Sequence, residues 1–168
     1  MQDLTFDITH DSDELKMIAK ALLSDESDVD HQLVIKLCEI IFSFYKNNTK
    51  NFPKFTLRNI IRLLDSTHLL RLRFKSTLDF ISSLWTAYNV TIANQIKGAE
   101  LRTELNNHVK RLLETQKSPI KLQQPKFTDW VNESMEHILT ESRLNYANAI
   151  LGAVACNIPL LLEGPAAV

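Results

Sequence analysis

Along the first two thirds of the chain, apolar residues recur at the three-and-four spacing of amphipathic helices. Leu15, Ile18, Ala19 and Leu22 make one stripe, which predicts a first helix over residues 11–24 with Ser12 in its N-cap region. The polar run SDESDVD follows, and Asp30 is placed to cap a second helix whose apolar face is Leu33, Val34, Leu37, Ile40, Ile41 and Phe44. That helix should stop near Asn47, where the loop-like NNTKNFPK begins. After Pro53, the stripe Leu57, Ile60, Ile61 and Leu64 predicts a third helix, with Arg58, Arg62 and Asp65 on another side. A fourth is expected from about Leu69 to Tyr88, through Phe74, Leu78, Ile81 and Trp85. A fifth, more polar, should cover 92–115 with Ile96, Leu101, Leu105, Val109 and Leu112 facing inward. The first 115 residues therefore read as a bundle of about five helices.

Beyond residue 115 the pattern changes. QKSPIKLQQPKFT at 116–128 has no helical period and two prolines, which marks a linker extending to about residue 135. Leu144, Ala147, Ile150 (or Leu151) and Val154 then predict a helix ending near Asn157. Directly after it comes IPLLLEG, a short continuous apolar run closed by glycine, so Pro159–Glu163 is expected to be a buried parallel strand.

Composition narrows the class. Three glycines in 168 residues exclude turn-rich β architectures and favour a mainly α fold. The two cysteines, Cys38 and Cys156, lie far apart in apolar surroundings, as reduced buried thiols do in nuclear or cytosolic proteins. No apolar run approaches the ~18 residues of a membrane span, and the acidic start MQDLTFDITHDSDE is unlike a signal peptide. A soluble intracellular protein is the expectation.

A formal net charge of -1 conceals an asymmetry. Residues 1–30 carry nine acids against Lys16 and Lys20. Residues 46–75 carry eight bases (Lys46, Lys50, Lys54, Arg58, Arg62, Arg71, Arg73, Lys75) against Asp65 alone. Such a block suits phosphate, nucleic acid or the acidic N-terminal stretch itself, although it lacks the aromatic interleaving of a single-strand platform. A solvated, internally compensated surface is the plainer reading.

The final residues carry the most specific chemistry. A phosphate-binding P-loop is G-x-x-x-x-G-K-[ST] after a strand, its backbone N–H groups and lysine gripping the phosphates and its hydroxyl holding Mg²⁺. Here the apolar run is followed by Gly164, Pro165, Ala166, Ala167 and Val168, and the chain stops where Gly-Lys-Thr would stand. Taken alone, these residues also describe a plain Gly-Pro turn.

Two segments strengthen the phosphate-loop reading through a resemblance. HILTESRLNYANAILGAVACNIPLLLEGPAAV resembles the entry to an AAA+ module of the midasin family, dynein-related ATPases of ribosome assembly. His137–Thr140 is similar to that family's entry segment, with Glu141 replacing its proline, and the helix after Arg143 and the run Pro159–Glu163 follow in the same order. Upstream, FPKFTLRNIIRLL (52–64) resembles the segment that opens a helix of the small helical lid of the preceding module. The resemblance implies a lid at 1–115, a linker at 116–135, and at 136–168 the first helix and strand of a P-loop α/β core. It implies that Arg58 is a sensor-2-like arginine reaching the γ-phosphate of ATP, and that Gly164–Val168 is a partial P-loop. It further implies ATP and Mg²⁺ as ligands of an intact parent, neighbouring AAA+ modules and the pre-60S ribosomal particle as partners, and a nuclear location.

Without a phosphate-loop lysine, a Walker B strand or a sensor-1 residue, the 168 residues alone are expected to bind no nucleotide. MoxR-like and dynein-like AAA+ proteins start similarly. The competing expectation is a free-standing helical module that binds a protein or RNA through the basic 46–75 face. The histidines (His10, His31, His68, His108, His137) show no metal-ligand spacing, and Cys38 reads as core rather than nucleophile.

Overall fold

Polar connectors rich in Ser, Asp and Asn separate six α-helices among the residues that the computed structural model describes, 12–52, 54–74, 78–115 and 141–161. They are α1 (Ser12–Leu22), α2 (Asp28–Asn47), α3 (Leu57–Arg73), α4 (Phe80–Thr91), α5 (Ala99–Glu114) and α6 (Glu141–Ala155), with a 3-10 turn at Ala93–Gln95. The linker at 116–135, the entry segment His137–Thr140, Lys75 and the loop Gly164–Val168 lie outside the described residues.

Helix α4 is the axis of the molecule. Every residue from Phe80 to Tyr88 is buried, because α3, α5, α6 and the 3-10 turn all pack on it. A helix so enclosed carries no charges, and three of its hydroxyls return to the helix's own backbone. Ser83, Thr86 and Thr91 donate to the carbonyls of Asp79, Ser82 and Ala87 one turn back, at 2.9, 2.9 and 2.7 Å. Helix α3 makes its broadest contact with α4, and α1, α2 and α5 close the remaining sides. Leu15, Leu37, Ile41, Ile60, Leu63, Leu64, Leu84 and Leu105 are fully buried in the shared core, together with Cys38.

Three boundaries differ from those the periodicity predicts. Asp30 is not the cap of α2. Ser27 is, and its hydroxyl accepts from the Asp30 N–H at 3.2 Å while the Asp30 carboxylate accepts from the Ser27 N–H at 3.2 Å. The fourth helix does not begin near Leu69. Residues 69–73 complete α3, and Asp79 caps a new helix by accepting from the Ser82 N–H at 2.7 Å. Apolar positions on either side of this break fall in step by chance, so the stripe reads straight through it. Finally, the fifth helix starts at Ala99 rather than near Ile92, because Gly98 adopts φ 105° and turns the chain away from helix.

At the far end, α6 lies against α3 and α4. Its small inward residues, Gly152, Ala153 and Ala155, let the backbones approach closely, and Cys156, Leu151 and Ile158 join the core. The helix stops at a Schellman turn. Asn157 takes φ 53°, and the Ile158 and Asn157 N–H groups return to the carbonyls of Ala153 and Val154 at 2.9 and 3.1 Å. The expected buried strand is not formed at its described residues. Pro159–Leu161 have no ladder hydrogen bonds, and Leu161 is 81% exposed. A strand is held by partners in a sheet, and the described residues contain no other strand to pair with.

Candidate functional site

The outer face of α3 gathers the polar groups left free by the core. At 100° per residue, Arg58, Arg62, Asp65, Leu69 and Arg73 share one side of the helix, opposite the buried Ile60, Leu63, Leu64 and Leu70. Two bonds fix the entry to α3. The Thr56 N–H and hydroxyl both donate to Asn59 Oδ1 at 2.9 Å.

Arg58 stands exposed in the first turn. No described hydrogen bond or ion pair engages it, and the first turn of α3 contains no acid. The free N–H groups of a helix start and an unneutralised guanidinium make this end of α3 electropositive, suited to an anionic oxygen. Arg62 is exposed as well, and among the described residues it forms no ion pair with Asp65, three residues on.

The remainder of the basic block is divided. Lys46 lies over the Phe42 ring, 4.6 Å from its centroid. Arg71 is turned inward, its Nε 2.7 Å from Glu26 Oε1 and its Nη1 donating to the Leu78 carbonyl at 2.9 Å. Part of the basic stretch therefore neutralises the acidic N-terminal stretch. Arg73, the last residue of α3, crosses to the end of α6. There its Nη1 donates to the Ala155 and Val154 carbonyls at 2.6 and 3.3 Å, and its Nη2 to Asn157 Oδ1 at 3.2 Å. A cation on the last carbonyls of a helix C-terminus is favoured by both hydrogen bonding and the helix dipole.

Between Arg73 and Arg62, the segment Cys156–Pro159 runs beside α3 and encloses a cleft of about 350 Å³ with Arg62, Asp65, Ser66 and His68. Cys156 is buried there. Desolvation raises its thiol pKa, partly opposed by a hydrogen bond with Ser66 and by the nearby Arg73 charge. Cys38, wholly buried in the bundle core, has its thiol pushed up to about 12 by desolvation, which leaves it inert as a nucleophile.

Sequence reasoning located Arg58 but not Arg73, Ser66 or Asn157 as partners. Asn157 followed by Ile-Pro after an apolar helix is a readable stop signal. Nothing in the local sequence announces an arginine 82 residues away from the carbonyl it caps. No described helix is long and apolar enough to cross a membrane. Comparison with family models, with curated proteins and with solved structures finds no match.

Proposed function

We propose that the chain is part of a midasin-like AAA+ ATPase that remodels pre-60S ribosomal particles, supplying the helical lid of one module and the start of the next. The observation that carries this reading is Arg58. It is an unpaired guanidinium at an electropositive helix start, held rigidly by a helix whose opposite face lies in a closed core. Such an arginine has no described partner within the fold and could offer a phosphate two parallel donors.

In this reading the intact parent binds ATP with Mg²⁺, the neighbouring modules of the same chain are the immediate partners, and the protein acts in the nucleus. Arg58 faces the γ-phosphate held by the preceding module, and Gly164–Val168 opens the next module's phosphate loop. A free-standing module that binds through its basic face has less support, because Arg71 and Arg73 are already engaged by partners within the chain.

In the full-length protein, Arg58→Ala should lower ATP turnover by roughly 10²–10³-fold, the effect of removing one positioned donor to developing charge. Arg58→Lys should recover little, since a single ammonium does not reproduce the fork. Unchanged turnover in Arg58→Ala would rule the assignment out.

A further inference from the structure

The inward faces of α2 and α5 are taken up by the core. Leu37, Cys38 and Ile41 come from one helix and Leu105 and Val109 from the other, all fully buried. The residues one step round each helix are left on a shoulder, and between the two shoulders lies an open groove of about 560 Å³. The Lys97 N–H donates to the Asn51 carbonyl at 3.0 Å, which brings the start of α5 beside the end of α2. The two helices therefore flank the groove in opposite directions.

Floor and rims differ in chemistry. Ile40 and Phe44, one turn apart on α2, are half-buried and pack on the core. The Phe44 ring is set between two tilted rings, Phe52 and His108, each 6.4 Å away between centroids. Asn48 Nδ2 donates to the Phe44 carbonyl at 3.0 Å and firms the end of the groove. The rims are exposed, with Glu39 on α2 and Glu104 and His108 on α5. Neither carboxylate has a described hydrogen bond or ion pair. Among the described residues no lysine or arginine lines the groove, and Lys36 and Arg111 stand one turn beyond it.

An apolar strip between acidic rims selects an occupant by two features at once, an apolar centre and cationic flanks. The phosphates of a nucleic acid would meet like charge there. A helix with one apolar stripe flanked by lysine or arginine meets both demands. Its apolar residues, three or four positions apart, repeat at the one-turn interval of Ile40 and Phe44.

We propose that the groove between α2 and α5 docks a basic amphipathic helix of a partner protein, its apolar stripe on Ile40 and Phe44 and its cations on Glu39 and Glu104. Arg58 is no part of this surface, and the proposal stands without the AAA+ reading.

Selection of a displayed library of randomised helix-forming peptides against the 168-residue chain tests it. Enriched sequences should carry an apolar stripe with lysine or arginine on both sides. A synthetic copy of the most enriched sequence should bind saturably, and more weakly as salt is raised. Charge reversal at both rims, Glu39→Lys with Glu104→Lys, should weaken that binding by at least about tenfold, since two attractive contacts become repulsive. Both side chains are exposed, so the urea midpoint of the double variant should match that of the native chain, which separates lost docking from lost folding. If that variant is destabilised, Glu39→Gln with Glu104→Gln replaces it, with an expected loss of about threefold. Failure to enrich basic amphipathic sequences, or binding that survives these changes, overturns the proposal. Self-association of the chain that the double reversal abolishes also overturns it, because the occupant is then a second copy. So does an RNA oligonucleotide whose binding moves the amide NMR signals of Phe44, Glu104 and His108.

Discussion

Glu26 and Arg71 meet with 2.7 Å between Oε1 and Nε, although 45 residues separate them in sequence. The pair ties the connector after α1 to the last turn of α3, and Arg71 extends the tie to the Leu78 carbonyl before α4. Both side chains are largely withdrawn from water, at 13% and 28% exposure. Removing one partner leaves the other poorly solvated. Glu26→Ala should therefore lower stability by about 1–3 kcal/mol in urea unfolding. In a double-mutant cycle with Arg71→Met the coupling should be near 1–2 kcal/mol. Additive single effects would mean the contact contributes nothing.

The core separates packing from hydrogen bonding. Leu84 is fully buried on the central helix, so Leu84→Ala should cost about 3–5 kcal/mol through lost contact and the cavity left behind. Tyr88 is equally buried and its hydroxyl donates to Asn106 Oδ1 at 2.9 Å. Tyr88→Phe should cost only about 1 kcal/mol, since the ring stays in place. The reverse order of the two effects would contradict the described packing.

Gly98 holds φ 105° between the 3-10 turn and α5, a region that side chains disfavour. An added Cβ would meet Leu101 Cβ at an ordinary 4.0 Å. The cost of Gly98→Ala is then backbone strain alone, about 1–3 kcal/mol by thermal or urea unfolding. A neutral Gly98→Ala would show that this turn relaxes.

The bundle was largely legible from periodicity, because α1, α2, α3 and α5 each pair one apolar stripe with a polar face. The break at 74–79 was not, since Phe74 and Leu78 continue the stripe across it, and only Asp79 ahead of Phe80 hinted at a new cap. In the candidate site, Arg58 is a candidate through the resemblance, since its spacing alone reads as a surface arginine. The expected compensation of the basic block by the acidic N-terminal stretch is met by Arg71 on Glu26, whereas the Arg73 contact with the end of α6 was not foreseen because its partners are distant in sequence. A one-dimensional charge count cannot tell a free cation from one already paired by the fold.

Alkaline pH should destabilise the protein. Cys38 keeps its proton in the folded chain until about pH 12, whereas the unfolded chain releases it near the ordinary value of 9.0. A raised pKa means the folded state binds more protons above pH 9. Stability is then fully retained below about pH 9 and falls as pH climbs toward 12, by up to about 1.4 kcal/mol per pH unit from this thiol. Burial also raises the Tyr88 hydroxyl pKa, which adds to the loss above its ordinary value of 10.0. Urea unfolding at pH 8, 9, 10 and 11 should show the decline, with a shallower slope in Cys38→Ala. A flat profile would contradict the burial of both groups.

Nucleotide binding should need more than these residues. None of the three glycines at 98, 152 and 164 precedes a lysine, so the 168 residues contain no complete phosphate loop. Titration of the chain with ATP and Mg²⁺ should give no saturable signal, and tight saturable binding would refute this.

Reading the transcript beyond the Val168 codon tests the midasin-like assignment most directly. The expected result is Gly-Lys followed by Ser or Thr, completing the loop begun at Gly164, with a Walker B strand further downstream. A stop codon there, or a continuation without the lysine, contradicts the assignment and leaves a helical bundle whose α6 is its closing element.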